Sequence, residues 1–122
     1  MRTSIKERLE NGEPVIGSWM QLCDGSVAEI MGAGGFDWIA VDLEHGKIGA
    51  ESLPSIFRAL ELRGTVPFAR VAQNSRKDIQ QALDAGSRGI IVPMVDSREQ
   101  VEQAVAWAKY PPEGSRGLGY CR

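Results

Sequence analysis

Short apolar runs alternate along this chain with segments whose apolar residues recur at helical spacing. Four runs have the length and composition of strands, at residues 14–20, 36–42, 66–72 and 88–94. The second of these, FDWIAVD, is apolar almost throughout, which is typical of a strand buried on both faces. The pattern predicts an α/β protein in which each strand is followed by a helix.

The first predicted helix has a recognisable start, and the second has a recognisable apolar stripe. Residues 26–31 begin with Ser26 and Glu29 at the spacing of a capping box, and glycines end this segment. Residues 51–63 end at Gly64 and carry an apolar stripe at helical spacing. The members of that stripe are Leu53, Ile56, Phe57 and Leu60.

The third and fourth predicted helices begin at serines. Ser75 can cap a helix that ends at Gly86, and Ser97 with Gln100 can open another that ends before Pro111. Apolar residues at helical spacing are expected to face the core. In the third helix they are Ile79, Ala82 and Leu83, and in the fourth they are Val101, Ala104, Val105 and Ala108.

Strands alternating with helices imply parallel pairing with right-handed crossovers. Two architectures satisfy this: a small open doubly wound sheet, or part of a (β/α)₈ TIM barrel. No glycine-rich dinucleotide fingerprint follows the first strand. A complete barrel takes about 250 residues, whereas the 122 residues here hold about four βα units. The sequence therefore predicts a half-barrel, with residues 1–122 as a single segment of a barrel.

A half-barrel would leave strand edges and apolar surface uncovered, which proteins in water avoid. Either a second copy of the chain closes the barrel, giving a homo-oligomer, or a C-terminal half completes it.

Composition and charge exclude several classes of protein. The net charge is −2 with both signs interspersed, so nothing favours binding to nucleic acid or to an anionic membrane. No apolar run reaches the roughly 18–20 residues of a transmembrane helix, and the charged N-terminus has no signal-peptide core. Cys23 and Cys121 match no metal-binding or redox spacing. A soluble, cytoplasmic protein with reduced thiols is expected.

The candidate chemistry lies where parallel α/β folds gather ligands, at the carboxyl ends of the strands. VDLEHG, residues 41–46, contains the single histidine of the chain next to two carboxylates. The candidates are Asp42, Glu44, His45, Arg70, Pro93, Met94 and Asp96, with Arg116 after the last helix.

Arg70 is informative because a guanidinium within an apolar strand needs an anion. That anion is either the carboxylate of a keto acid, held bidentately, or an internal partner such as Asp42 or Asp84. The residue types leave these alternatives open. His45 is either a general base or a loop histidine bonded to its neighbours, and the second is commoner for a lone histidine. Asp84, near a helix end, opposes the helix dipole. It is either compensated by a partner such as a histidine or an ordinary exposed acid.

Four blocks of sequence, taken together, resemble the HpcH/HpaI aldolase family. They are DLEHG, PFARV, AGSRGIIVPM and PPEGSRGLG, within a similarity that extends from about residue 4 to the end. Members of this family are class II pyruvate aldolases, which include the 4-hydroxy-2-oxoheptanedioate and 2-keto-3-deoxyglucarate aldolases. The resemblance implies a (β/α)₈ barrel, a carbon–carbon lyase, and only the N-terminal half of it in this chain.

The resemblance also implies roles for individual residues. His45 would match the catalytic histidine that moves a proton on and off the pyruvate methyl group, and Asp84 the aspartate that pairs with it. Arg70 would match the arginine that holds pyruvate and steadies the developing enolate. Asp42 would match an acid near a metal-bound water. The reaction would be cleavage of a 4-hydroxy-2-keto acid to pyruvate and an aldehyde, or the reverse condensation.

A divalent metal, Mg²⁺, Mn²⁺ or Co²⁺, is the cofactor that the resemblance implies. The family's glutamate and aspartate ligands would lie beyond Arg122, so no metal ligand is assigned within this chain. Family members are commonly oligomeric, which favours a homo-oligomer. The alternatives are a citrate lyase β-subunit-like or citrate-forming relative, and a non-catalytic truncated member that binds a keto acid or a partner chain. The third alternative is a truncated reading frame without a function of its own.

Overall fold

The computed structural model describes residues 4–119. Its strands and helices alternate as predicted, with one additional helix at the N-terminus. The strands are β1 (Gly17–Met20), β2 (Trp38–Asp42), β3 (Val66–Arg70) and β4 (Gly89–Ile91). The α-helices are α1 (Ile5–Glu10), α2 (Gly25–Ala33), α3 (Leu53–Leu62), α4 (Arg76–Asp84) and α5 (Arg98–Ala108), and a 3₁₀ turn, Ala50–Ser52, precedes α3.

The four strands form one parallel sheet in the order β1-β2-β3-β4. A doubly wound sheet reverses its strand order at a switch point, whereas a barrel adds each strand beside the last. With the right-handed crossovers that parallel βαβ units adopt, this strand order places successive helices on the same face of the sheet. The prediction of a barrel-type α/β fold is confirmed, and the doubly wound alternative is wrong.

One face of the sheet packs against the helices and forms the core. Residues from β1, β2 and β3 alternate toward this face and meet the buried stripe of α3, which has the membership predicted for it. The fully buried side chains of this core are Met20, Ile39, Val41, Phe57, Leu60 and Ile79, among others. Helix placement is therefore set by burial of one sheet face.

The opposite face of the sheet, which we call the open face, is only partly covered within residues 4–119. Trp38 and Phe68 stack there with ring centroids 5.5 Å apart. A side chain at Gly17 would collide with the Trp38 ring, and one at Gly89 would meet the Phe68 ring. Glycine at these two positions thus gives the aromatic rings space on the neighbouring strands.

The helix starts agree with the sequence in two places and differ in two. Ser75 and Ser97 cap α4 and α5. The predicted capping box at Ser26 is wrong, because Asp24 is the cap and its carboxylate accepts the amide proton of Ser26 at 2.7 Å. Helix α1 was not predicted, although Ser4 forms a capping box at its start.

The predicted apolar stripe of α5 is only partly buried. Ala104 is buried, but Val101 and Val105 are 50% and 45% exposed. Helix α5 packs chiefly against α4, and this contact turns Ala104, Trp107 and Ala108 toward the core. No helix among the described residues is long and apolar enough to cross a membrane.

Candidate functional site

Asp42 and Arg70 are the last residues of β2 and β3, and they are register partners in the parallel sheet. Their side chains consequently project from the same face at the carboxyl ends of adjacent strands. Arg70 donates from Nε to Oδ1 of Asp42 at 2.9 Å and from Nη2 to Oδ2 at 2.6 Å. Two internal partners were expected for Arg70, and it pairs with Asp42 and not with Asp84.

The Asp42 carboxylate is fully buried and receives further hydrogen bonds. Gln21 donates from Nε2 to Oδ2 at 2.9 Å, and the amides of Glu44 and His45 each donate to Oδ1 at 3.1 Å. Hydrogen bonds from Arg70, followed by those from Gln21 and the His45 amide, hold the pKa of Asp42 well below its ordinary value. The same pairing raises the pKa of Arg70. Both groups are charged at neutral pH.

The guanidinium of Arg70 is held on several sides but not fully engaged. Its centre lies 4.6 Å from the centroid of the Trp19 ring, and its Nε lies 3.3 Å from Oε2 of Glu44. The side chain is 23% exposed. Within residues 4–119, the hydrogen bonds and ion pairs of Arg70 use Nε and Nη2. Nη1 makes none of these contacts, so both of its N–H groups can donate to an incoming anion.

His45 lies in the loop that follows β2, and its side chain is 66% exposed. Nε2 is 3.7 Å from Oε2 of Glu44, a distance suited to electrostatic attraction but too long for a hydrogen bond. The next residue, Gly46, passes so close to the carbonyl oxygen of Asp42 that a Cβ would collide with it. The glycine therefore lets the loop fold back over the end of β2, with His45 beside Glu44, which in turn contacts Arg70.

Asp84 lies elsewhere, in the last turn of α4, where Arg116 donates from Nη2 to Oδ1 at 2.7 Å. The Arg116 guanidinium also lies 4.6 Å from the ring centroid of Tyr110. Helix α4 runs back from the carboxyl ends of the strands to their amino ends, so Asp84 and His45 lie toward opposite ends of the sheet. A single chain does not bring this predicted pair together.

The carboxylate of Asp84 borders a surface cleft of about 470 Å³ between α4 and the segment after α5. Its polar lining comes from Arg76, Lys77, Gln80 and Gln81. This cleft is separate from the end of the sheet that carries Arg70.

The candidates after β4 lie at the same end of the sheet as Arg70 but do not join its network. Met94 has a positive φ of 53° and is 87% exposed, and the amide of Asp96 donates to the side chain of Gln100. Among the described contacts, none connects Pro93, Met94 or Asp96 to Arg70.

The residues described do not fit a divalent metal site. Between residues 4 and 119, no group of three or more His, Cys, Asp and Glu side chains lies close enough to hold a metal ion. The carboxylate oxygens of Asp42 and Glu44 face Arg70 instead. Cys23 is exposed and its thiol donates to Ser52 Oγ, while Cys121 lies outside the described residues.

Two members of the site were not identified from the sequence. Gln21 follows β1 directly and donates to Asp42, and the ring of Trp19 in β1 contacts the guanidinium of Arg70. The rule that ligands gather at the carboxyl ends of strands applies to β1 as well and could have identified both. Apolar composition alone gives no sign that a tryptophan contacts a cation.

Known proteins with similar sequences span more residues than this chain. It is 39% identical over 117 residues to a hydroxypyruvate/pyruvate aldolase of Roseobacter denitrificans, covering 96% of this chain and 46% of that protein. It is 34% identical to a 4-hydroxy-2-oxo-heptane-1,7-dioate aldolase of Salmonella dublin, covering 98% and 45%. The chain thus spans less than half the length of these relatives.

The fold comparison agrees with the sequence comparison. The crystal structure of the citrate synthase SbnG superposes with a TM-score of 0.88 at 41% sequence identity, covering 94% of this chain and 47% of that one. Residues 16–119 match the family model described as HpcH/HpaI aldolase/citrate lyase. The chain therefore belongs to the HpcH/HpaI aldolase/citrate lyase family, and its four βα units correspond to about half of a TIM-barrel-type member.

Proposed function

We propose that this chain provides the N-terminal half of a metal-dependent class II aldolase that cleaves or forms 4-hydroxy-2-keto acids through a pyruvate enolate. One observation carries the proposal. Arg70 is fixed by a buried carboxylate at the carboxyl end of the sheet, with Nη1 left for an anion and His45 in the adjacent loop. The names of the aldolase relatives support the same reaction class.

Arg70 would bind the keto acid. Its Nη1 can donate to the carboxylate or keto oxygen of pyruvate, while Asp42 and Trp19 restrain the guanidinium plane. Negative charge grows on the keto oxygen as a proton leaves the methyl group, and a fixed cation stabilises that charge without reorganising. Arg70 thereby contributes to binding and to enolate formation.

His45 would exchange the proton of the pyruvate methyl group, since imidazole is the side chain that most often serves as a general base. Its exposure allows a substrate held by Arg70 to approach it. The pairing of His45 with Asp84 stays a prediction. Because the two lie toward opposite ends of the sheet in one chain, Asp84 would have to come from a second copy, in keeping with the predicted homo-oligomer.

The divalent metal also stays a prediction, because residues 4–119 present no ligand set for it. When bound, such an ion would polarise the keto oxygen. The roles proposed for Arg70 and His45 require no metal ligand from this chain. Pyruvate and an aldehyde are the proposed substrates, and a cytoplasmic location is proposed with them.

A citrate-forming activity is the second candidate, favoured by the similarity to the citrate synthase SbnG. The enolate chemistry would be shared, and the electrophile would differ. An acyl-CoA substrate or product, in place of an aldehyde, would select this alternative. If the chain is instead a non-catalytic family member that binds a keto acid, pyruvate is expected to bind without exchange of its methyl protons.

The first test is deuterium exchange into the pyruvate methyl group, followed by proton NMR. It is run on the protein as its gene encodes it and on the 122-residue chain, with and without Mn²⁺ or Co²⁺. We expect exchange that is lost in His45→Ala and Arg70→Ala. Arg98→Ala, which removes an exposed arginine whose ion pair within residues 4–119 is with Glu102 on its own helix, is the matched control. Exchange no faster than with the metal ion alone would contradict the proposal.

A further inference from the structure

Glu44 contacts both candidate catalytic residues, Arg70 and His45. Its Oε2 lies 3.3 Å from Nε of Arg70 and 3.7 Å from Nε2 of His45. The side chain is 17% exposed, so the carboxylate is largely removed from water. Asp42 and Arg70 come from neighbouring strands, whereas Glu44 reaches back to Arg70 from the loop that also carries His45.

The fold itself does not need this second carboxylate. Asp42 already neutralises Arg70 through two hydrogen bonds. A further carboxylate beside one guanidinium gives the cluster of Asp42, Glu44 and Arg70 an excess negative charge. It also adds the cost of removing a second carboxylate from water. Simple charge balance would also make the group repel an anionic substrate. Such an arrangement is explained if Glu44 controls the position of the groups that it touches.

We propose that Glu44 is a positioning residue that holds the Nε edge of Arg70 and ties the His45 loop to it. With Asp42 and Glu44 both on the Nε and Nη2 side, Nη1 is directed to the remaining side, where the keto acid binds. The distance between the anion-binding arginine and the proton-moving histidine is then set by one shared carboxylate. This inference rests on the proposed function, because it assigns Glu44 to the same keto-acid site.

The sign of the effect on binding separates positioning from simple electrostatics. If Glu44 were only a nearby negative charge, Glu44→Gln would tighten pyruvate binding by removing repulsion. If Glu44 positions Arg70, the same substitution weakens binding although it makes the site more positive. We expect the Kd of pyruvate to rise about tenfold, because small displacements of a binding group are costly. Glu51→Gln, at an exposed glutamate seven positions along the chain, is the matched control.

The experiment measures pyruvate binding by calorimetry in the protein as its gene encodes it, with Mn²⁺ or Co²⁺ present, for the wild type and the Glu44→Gln, Glu51→Gln and Arg70→Gln variants. Thermal unfolding is recorded for each, and KM and kcat are taken from methyl-proton exchange. The inference is supported if Kd and KM rise in Glu44→Gln but not in Glu51→Gln, and if the unfolding midpoint is unchanged. Glu44→Asp, which keeps the charge but shortens the side chain, is expected to resemble Glu44→Gln.

Two other outcomes are distinguishable. If pyruvate binds in an Arg70-dependent manner but Glu44→Gln binds it equally or more tightly, the role of Glu44 is overturned and the proposed function stands. If Arg70→Gln binds pyruvate as well as the wild type, or if no protein binds it, the proposed function fails and the inference fails with it.

Discussion

Arg70 and Asp42 are joined by two hydrogen bonds across adjacent strands, from Nε at 2.9 Å and from Nη2 at 2.6 Å. The carboxylate is fully buried, while the guanidinium keeps one side open. A charged pair in this position does not merely neutralise itself. It orients a cation toward the carboxyl ends of the strands, the edge of the sheet where parallel α/β barrels gather their ligands.

Replacing Asp42 with asparagine is expected to destabilise the protein. The substitution leaves Arg70 charged beside a neutral amide that presents an NH₂ group where one carboxylate oxygen accepted hydrogen bonds. Breaking a buried pair from one side costs about 3 kcal/mol in the free energy of unfolding. Urea denaturation measures this directly. Asp96→Asn, at an exposed aspartate, should change the free energy of unfolding by less than about 0.5 kcal/mol, and equal effects at both positions would contradict the structural role of Asp42.

Stability should also fall in acid because of Asp42. Its folded-state pKa is lowered below the ordinary value of 3.8, chiefly by hydrogen bonds from Arg70. The unfolded chain therefore binds more protons than the folded one in acid, so this contribution is complete above the ordinary pKa. It decreases as the pH falls from about 5 toward 2. Urea midpoints across this range should drop more steeply for the wild type than for Asp42→Asn, and parallel pH profiles would count against the assignment.

The sequence predicted the fold more fully than the site. Parallel strands, the helix after each, and the stripe of α3 follow from periodicity, because burial of one face imposes it. The ion pair of Arg70 was one of several alternatives, since pairing across strands depends on register. The relation of His45 to Asp84 shows the limit most clearly. Sequence similarity matches the two residues to one site, but the direction of α4 separates them within a chain.

Helix caps show a similar limit at shorter range. Ser26 and Glu29 have capping-box spacing, yet the helix starts earlier because Asp24 accepts the Ser26 amide. Several polar residues near a helix start compete for the cap, and loop geometry decides among them. The same motif at Ser4 and Glu7 does form a complete capping box.

Asp24→Ala should therefore destabilise the protein more than Ser26→Ala. The first substitution removes the acceptor for the amides at the start of α2, whereas the second removes a hydroxyl inside the first turn. Thermal unfolding of the two variants side by side measures the difference. A larger loss of stability in Ser26→Ala would place the helix start where the sequence pattern put it.

Gly46 provides the sharpest test of how the loop after β2 builds the site. A methyl group at this position would collide with the carbonyl oxygen of Asp42, so Gly46→Ala must move the loop that carries Glu44 and His45. We expect a loss of about 1–3 kcal/mol in the free energy of unfolding, as for other overpacked positions. Weaker pyruvate binding should accompany it.

Gly25→Ala is the matched control for Gly46, because a Cβ at position 25 would meet nothing within 4 Å. Gly25 is the first residue of α2, where alanine is tolerated or favoured over glycine. Chemical denaturation and pyruvate calorimetry on both variants separate a general effect of losing a glycine from a displacement of the site. If Gly46→Ala unfolds at the wild-type denaturant concentration and binds pyruvate normally, the loop does not approach Asp42 as closely as the structure shows. The contacts of Glu44 with Arg70 and with His45 would then need another explanation.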